Sequence, residues 1–200
     1  MLRNWIDPDK LNLYCLSANP SAIPYLIETK HITKDSKFNG INDNMIDWYS
    51  ISKNPGSIEF LEENKKLIQW DFLSFNPNAI HLLEKNPDKI NWFYLCRNPN
   101  AIQLLRNQYQ NHELYWNFLS ENPNAINILE KNPDKIDWES LSKNPGAIEL
   151  LEQNPDKIDW NNLSKNPNAM YILEQNQDKI IWYWLSINPS IFEDEDYGCK

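Results

Sequence analysis

Tryptophan recurs at Trp48, Trp70, Trp92, Trp116, Trp138, Trp160 and Trp182, at equal intervals except that from Trp92 to Trp116, which is longer by two positions. The period, about 22 residues, lies at the short end of the range for repeat architectures. It limits the fold more than any other feature of the chain, because a segment of that length cannot close a core by itself. A chain that repeats such a segment must stack the copies. The stretch 141–160, LSKNPGAIELLEQNPDKIDW, returns one period later, from Leu163, as LSKNPNAMYILEQNQDKIIW. A matching unit with Leu13 in the tryptophan place, PDKLNLYCLSANPSAIPYLIE, runs from Pro8 to Glu28. It brings the number of copies to eight, the last one cut short.

The consensus N-P-D-K-I-D-W-x-x-L-S-x-N-P-x-A-I-x-L-L-E-x contains two Asn-Pro pairs. Proline is favoured at the first position of a helix, where its missing N–H is not needed, and asparagine before it is a strong N-cap. Asn132-Pro133 is therefore expected to start one helix and Asn144-Pro145 the next, with Asp134 favouring the positive end of the helix dipole. Asparagine tolerates a left-handed backbone, so one residue can end one helix and start another. Each helix then has room for about eight to ten residues, roughly two and a half turns, and is marginal without packing. Ala147, Ile148, Leu150 and Leu151 form one apolar face of the second helix, while Ile136 points elsewhere, toward a neighbouring unit. The predicted fold is all-α: an α-solenoid of about eight short helix-turn-helix repeats, one domain over residues 1–192.

The period breaks in three places. A polar insertion, 31–45, contains Asn39-Gly40, a turn signal, and reads as an exposed loop at a unit junction. Between Trp92 and Trp116 the stretch RNQYQNHELYW has two extra residues and no proline, though Leu114 keeps the Ile place; a longer corner is expected there. Residues 193–200 open with Glu193, Asp194, Glu195 and Asp196, an acidic C-terminal tail.

Composition narrows the function classes. The net charge of −9 with three arginines leaves no basic stripe for phosphates, which argues against nucleic acid as a partner. No apolar run approaches the roughly 20 residues of a membrane span, and the N-terminus lacks the apolar stretch of a secretory signal, so a soluble intracellular protein is expected. Cys15, Cys96 and Cys199 have no paired spacing and are expected to be reduced thiols; the three histidines share no ligand spacing. No cofactor, metal or small-molecule substrate is implied.

Several columns imitate chemistry. Ser17, Ser52, Ser74, Ser120, Ser142, Ser164 and Ser186 recur in almost every copy, with Cys96 once. A nucleophile needs one special environment with a base beside it, whereas a residue repeated this often is a small corner residue bonded to nearby backbone. The acidic columns beside Lys89, Lys135, Lys157 and Lys179 read as surface ion pairs and dipole partners. The column tryptophans read as core fillers rather than as a stacking platform for sugars or bases. Nothing resembles a phosphate loop or a hydrolase elbow, and the chain is read as a non-enzyme.

Repeat proteins bind through positions free to differ while the frame holds. These are the two residues after each tryptophan and the residue between Ser and Asn. Copies two to five carry Phe72, Phe75, Phe93, Tyr94 and Phe118 there, together with Arg97. Aromatic side chains and arginine suit a protein-binding hot spot. The competing role is packing, since Phe72, Tyr94 and Phe118 each lie four positions beyond the Ile place.

The phrase N-P-x-A-I-x-L-L-E-x-N-P-D-K-I-x-W-x-x-L-S, as it stands from Asn144 and in neighbouring copies, resembles the short NPxAI/IDWxxLS repeats of proteins in giant DNA viruses of the mimivirus type. The resemblance spans Pro8 to Phe192, and the asparagine- and lysine-rich usage typical of an AT-rich genome fits that source. The first copy departs from the pattern at Leu13 and Pro24, as a capping unit would. The resemblance implies a repeat protein that engages host or viral proteins in the host cell cytoplasm, or a structural component of the virion that bridges other particle proteins. It carries over no catalytic residue.

Overall fold

The computed structural model describes residues 2–29, 31, 46–108 and 114–192. The insertion 31–45 apart from its first residue, the centre of the corner at 109–113 and the 193–200 tail lie outside the described residues. The architecture is an all-α repeat solenoid, and no strand occurs among the described residues. The chain forms two compact units, Met1–Asn107 with the first four repeats and Gln108–Lys200 with the last four.

One repeat of the second unit shows how the local sequence works. Pro133–Lys135 is a single 3-10 turn, after which Ile136 is extended at φ −64°, ψ 124°. The α-helix begins at Trp138 and runs to Lys143, capped by Asp137, whose carboxylate accepts the Ser140 N–H. A turn at Asn144 leads to the second helix, Ile148–Glu152. Among the described residues the helices are shorter than the sequence suggests, from the single turn Trp70–Leu73 to Ile102–Gln108 at the longest. The first Asn-Pro pair starts only the 3-10 turn. Burying Ile136 requires an extended step, and that step moves the helix start to the tryptophan and the capping role to the residue before it.

The second Asn-Pro pair does join two elements. Asn144 donates its backbone N–H to Leu141 O at the end of one helix, and its side-chain oxygen accepts the Gly146 N–H at the start of the next turn. Its backbone is extended, φ −74° and ψ 114°, rather than left-handed. The amide nitrogen of this column reaches into the preceding repeat. In the first unit Asn76 donates to Ser52 O and Asn54 O, at 3.0 and 2.8 Å, and Asn98 to Ser74 O and Asn76 O. In the second unit Asn144, Asn166 and Asn188 make the same pair of bonds.

The serine column runs alongside. Ser142 Oγ donates to Trp138 O at 2.8 Å and accepts the Asp159 N–H of the next repeat at 3.0 Å. Ser74 and Ser164 repeat both bonds, toward Asn91 and Ile181. A third row of contacts joins Asn78, Asn100 and Asn168 to the preceding prolines' carbonyls. Where glycine takes that place the backbones come closer: a Cβ on Gly146 would stand 2.5 Å from Pro123 O.

Beneath these rows lie two fully buried apolar columns. Ile51, Leu73 and Leu95, with Leu61, Leu83 and Leu105, form the core of the first unit. Leu119, Leu141 and Leu163, with Leu129 and Leu151, form that of the second. Ala79, Ala101, Ala125, Ala147 and Ala169 are buried where helix and turn meet. Two buried leucines contribute roughly 3–6 kcal/mol per repeat, and three cross-repeat hydrogen bonds roughly 2–4 kcal/mol net. The leucines therefore supply most of the driving force. The polar rows set the register, because apolar contact tolerates a slip that would leave buried carbonyls unbonded.

Candidate protein-binding surface

Within each first helix, the fourth and fifth residues (the Leu and Ser columns) face inward. The second residue and the one just past the serine face outward. First helices of successive repeats lie against one another, Trp48–Lys53 on Trp70–Leu73 and Trp138–Lys143 on both Trp116–Glu121 and Trp160–Leu163. Equivalent outward positions therefore form rows across repeats. Lys143 Nζ meets Glu121 Oε1, one repeat earlier in the same row, at 3.3 Å.

In the first unit these rows carry Tyr49, Phe93 and Phe75, and the third helix residue beside them is aromatic at Phe72 and Tyr94. Phe72 is half-buried and touches both Tyr49 and Tyr94, with ring centroids 4.7 and 5.3 Å away and tilted planes, so three repeats share one ring cluster. Phe93 meets Tyr94 edge-on at 5.1 Å. Phe75 is 39% exposed, and Arg97, in the same row one repeat later, is half-buried. The structure thus brings Phe72, Phe93 and Tyr94 into one ring cluster and leaves Phe75 outermost. Phe118 belongs to the second unit, half-buried with its ring 6.4 Å from Tyr115. Tyr49 also belongs to the ring cluster, although the aromatic candidates read from the sequence do not include it. Its place directly after a column tryptophan is the signal that marks it.

Apart from Trp48, the column tryptophans are not core fillers. Trp48 is 4% exposed, but Trp70, Trp92, Trp116, Trp138 and Trp160 are half-buried and Trp182 is 64% exposed. As the first residue of its helix, each indole lies at the rim of the core. Lys89, Lys157 and Lys179 each lie 4.6–4.8 Å above the ring of the preceding repeat's tryptophan, Trp70, Trp138 and Trp160. The acidic and basic columns predict ion pairs; these three lysines instead lie on indoles, a contact of roughly 0.5–1 kcal/mol at an exposed site. Each lysine follows its tryptophan at the same distance along the chain, and that constant offset is the sequence signature of this row.

The hydroxyls of Ser52, Ser74, Ser120, Ser142 and Ser164 are buried and take part in the ladder. Cys15 is an exposed free thiol and Cys96, in the serine column, a buried one. Among the described residues no group of three or more His, Cys, Asp or Glu side chains could hold a metal ion. No described helix is long and apolar enough to cross a membrane. No protein-family model, curated protein or solved structure matches the chain.

Proposed function

We propose that the chain is a non-enzymatic scaffold that binds another protein, of host or viral origin, in the cytoplasm of an infected cell. One observation supports this most directly. Inward positions repeat almost without change, while the outward rows of the first helices differ from copy to copy, exposing Phe75 and carrying the Phe93 ring, which meets Tyr94 edge-on. Large aromatic side chains and arginine dominate binding energy at protein interfaces, and a half-buried ring is already ordered before it meets a partner. Phe72 and Tyr94 serve this surface as support, since each already makes two ring contacts within the chain.

The test uses full-length protein and the triple variant Phe75→Ala, Phe93→Ala, Arg97→Ala, with helical circular dichroism as a folding control. The expected result is a partner retained from host lysate by the native chain and lost, by about 30-fold or more in affinity, by the variant. Retention of the same partner by both proteins overturns the assignment of this surface. Absence of any specific partner, with stoichiometric recovery of the chain from purified particles, identifies a structural component instead.

A further inference from the structure

The two ends of the repeat array expose complementary halves of the contact that joins successive repeats within each unit. At the C-terminal end, Ser186 is exposed, whereas Ser142 and Ser164 are buried. Its hydroxyl still donates to Trp182 O at 2.8 Å, but no described residue donates to it as Ile181 donates to Ser164. The carbonyls of Ser186 and Asn188 receive no asparagine amide among the described residues, although those of Ser164 and Asn166 both do. Ile187 and Phe192 are also exposed on this last repeat.

The N-terminal end carries the matching groups. Asn19 is exposed and its oxygen caps the Ser21 N–H at 3.0 Å. Its amide nitrogen donates to no acceptor among the described residues, whereas Asn54, its counterpart one repeat later, is buried and donates to Ser17 O. Lys10 holds the place of Lys89, Lys157 and Lys179, yet no column tryptophan of an earlier repeat precedes it, and its ammonium pairs with Asp7 at 3.4 Å. Beside Asn19 opens a groove of about 480 Å³, apolar at Leu2, Trp5, Leu16 and Tyr25, with Arg3 and Glu28 also in its lining.

We infer that a second copy of this chain covers each end, head to tail. Asn19 Nδ2 of one copy donates to Ser186 O and Asn188 O of the other, Lys10 lies on Trp182, and the groove receives apolar side chains of the last repeat. The contact extends the asparagine and serine rows already built between repeats, while the N-terminal groove takes the apolar side chains that the shortened last repeat exposes. It is heterologous, so each pair retains one open head and one open tail.

Two full-length variants block one end each. Asn19→Asp keeps the cap on Ser21 but replaces the donor with a carboxylate facing two carbonyls. Ile187→Glu places a charge on the tail. Sedimentation velocity of the native chain up to roughly 100 µM should show average mass rising with concentration. Each variant alone should remain monomeric, its association weakened about tenfold or more. Their equimolar mixture should form a dimer and nothing larger, since only one intact head and one intact tail remain. A native chain that stays monomeric over that range overturns the proposal. So does either variant associating like the native chain, which indicates a symmetric contact, or a mixture that fails to pair. Circular dichroism confirms that both variants are folded.

Discussion

The same dipeptide performs two different jobs in each repeat. Asn144 is fully buried, and its amide fills carbonyls from the preceding repeat. Asn132, also followed by proline, is half-buried and turns its amide back to Ile128 O in the helix that precedes it, at 2.8 Å. Substituting aspartate separates the two. At 144 a carboxylate would be buried against Ser120 O and Asn122 O, an uncompensated charge beside acceptors; at 132 water can still reach it. Asn144→Asp is expected to cost at least about 3 kcal/mol and Asn132→Asp about 1 kcal/mol. Urea unfolding midpoints of the two variants, at equal slopes, measure the difference; equal losses would show that the ladder does not hold the repeats in register.

At the scale of the element, helices this short cannot persist on propensity, and their ends matter in proportion. Asp137 caps Trp138–Lys143, and Asn91 does the same for Trp92–Leu95 through Tyr94 N–H at 3.3 Å. Asp137→Ala should therefore lower stability by about 1 kcal/mol, and Asp137→Asn by much less, because either a carboxamide or a carboxylate oxygen can accept the bond. Thermal denaturation followed by circular dichroism distinguishes the pair; a harmless alanine would place the cap elsewhere. Helical class and the boundary turns were legible here, since Asn-Pro and the apolar pattern are local signals. The true helix start was not. It depends on the extended Ile136, whose side chain is drawn into the core, a demand that no local propensity expresses.

For the whole molecule, a fixed period means that a full unit can be removed while the frame is kept. Deleting 141–162 joins Ser140 to Leu163 and restores an uninterrupted WES-LSK helix. That protein should keep its helical signal per residue and unfold cooperatively at a lower midpoint, because one interface is lost and the others are unchanged. Deleting only half a period, 141–151, puts the Asn and Ser columns out of line and should abolish cooperative unfolding. Two deletions with the same outcome would mean that stacking does not organise the chain.

The period, the helical class, the buried leucine columns and the small polar corner at each serine were determined by the sequence itself, because each is a statement about residue type at fixed spacing. The tertiary structure decided which asparagine is a cross-repeat donor, where the indoles rest and which aromatic rings support rather than expose. Those assignments turn on what lies about one repeat away along the chain once the copies are stacked. A backbone carbonyl or a neighbouring indole becomes a partner only when packing has placed it within reach.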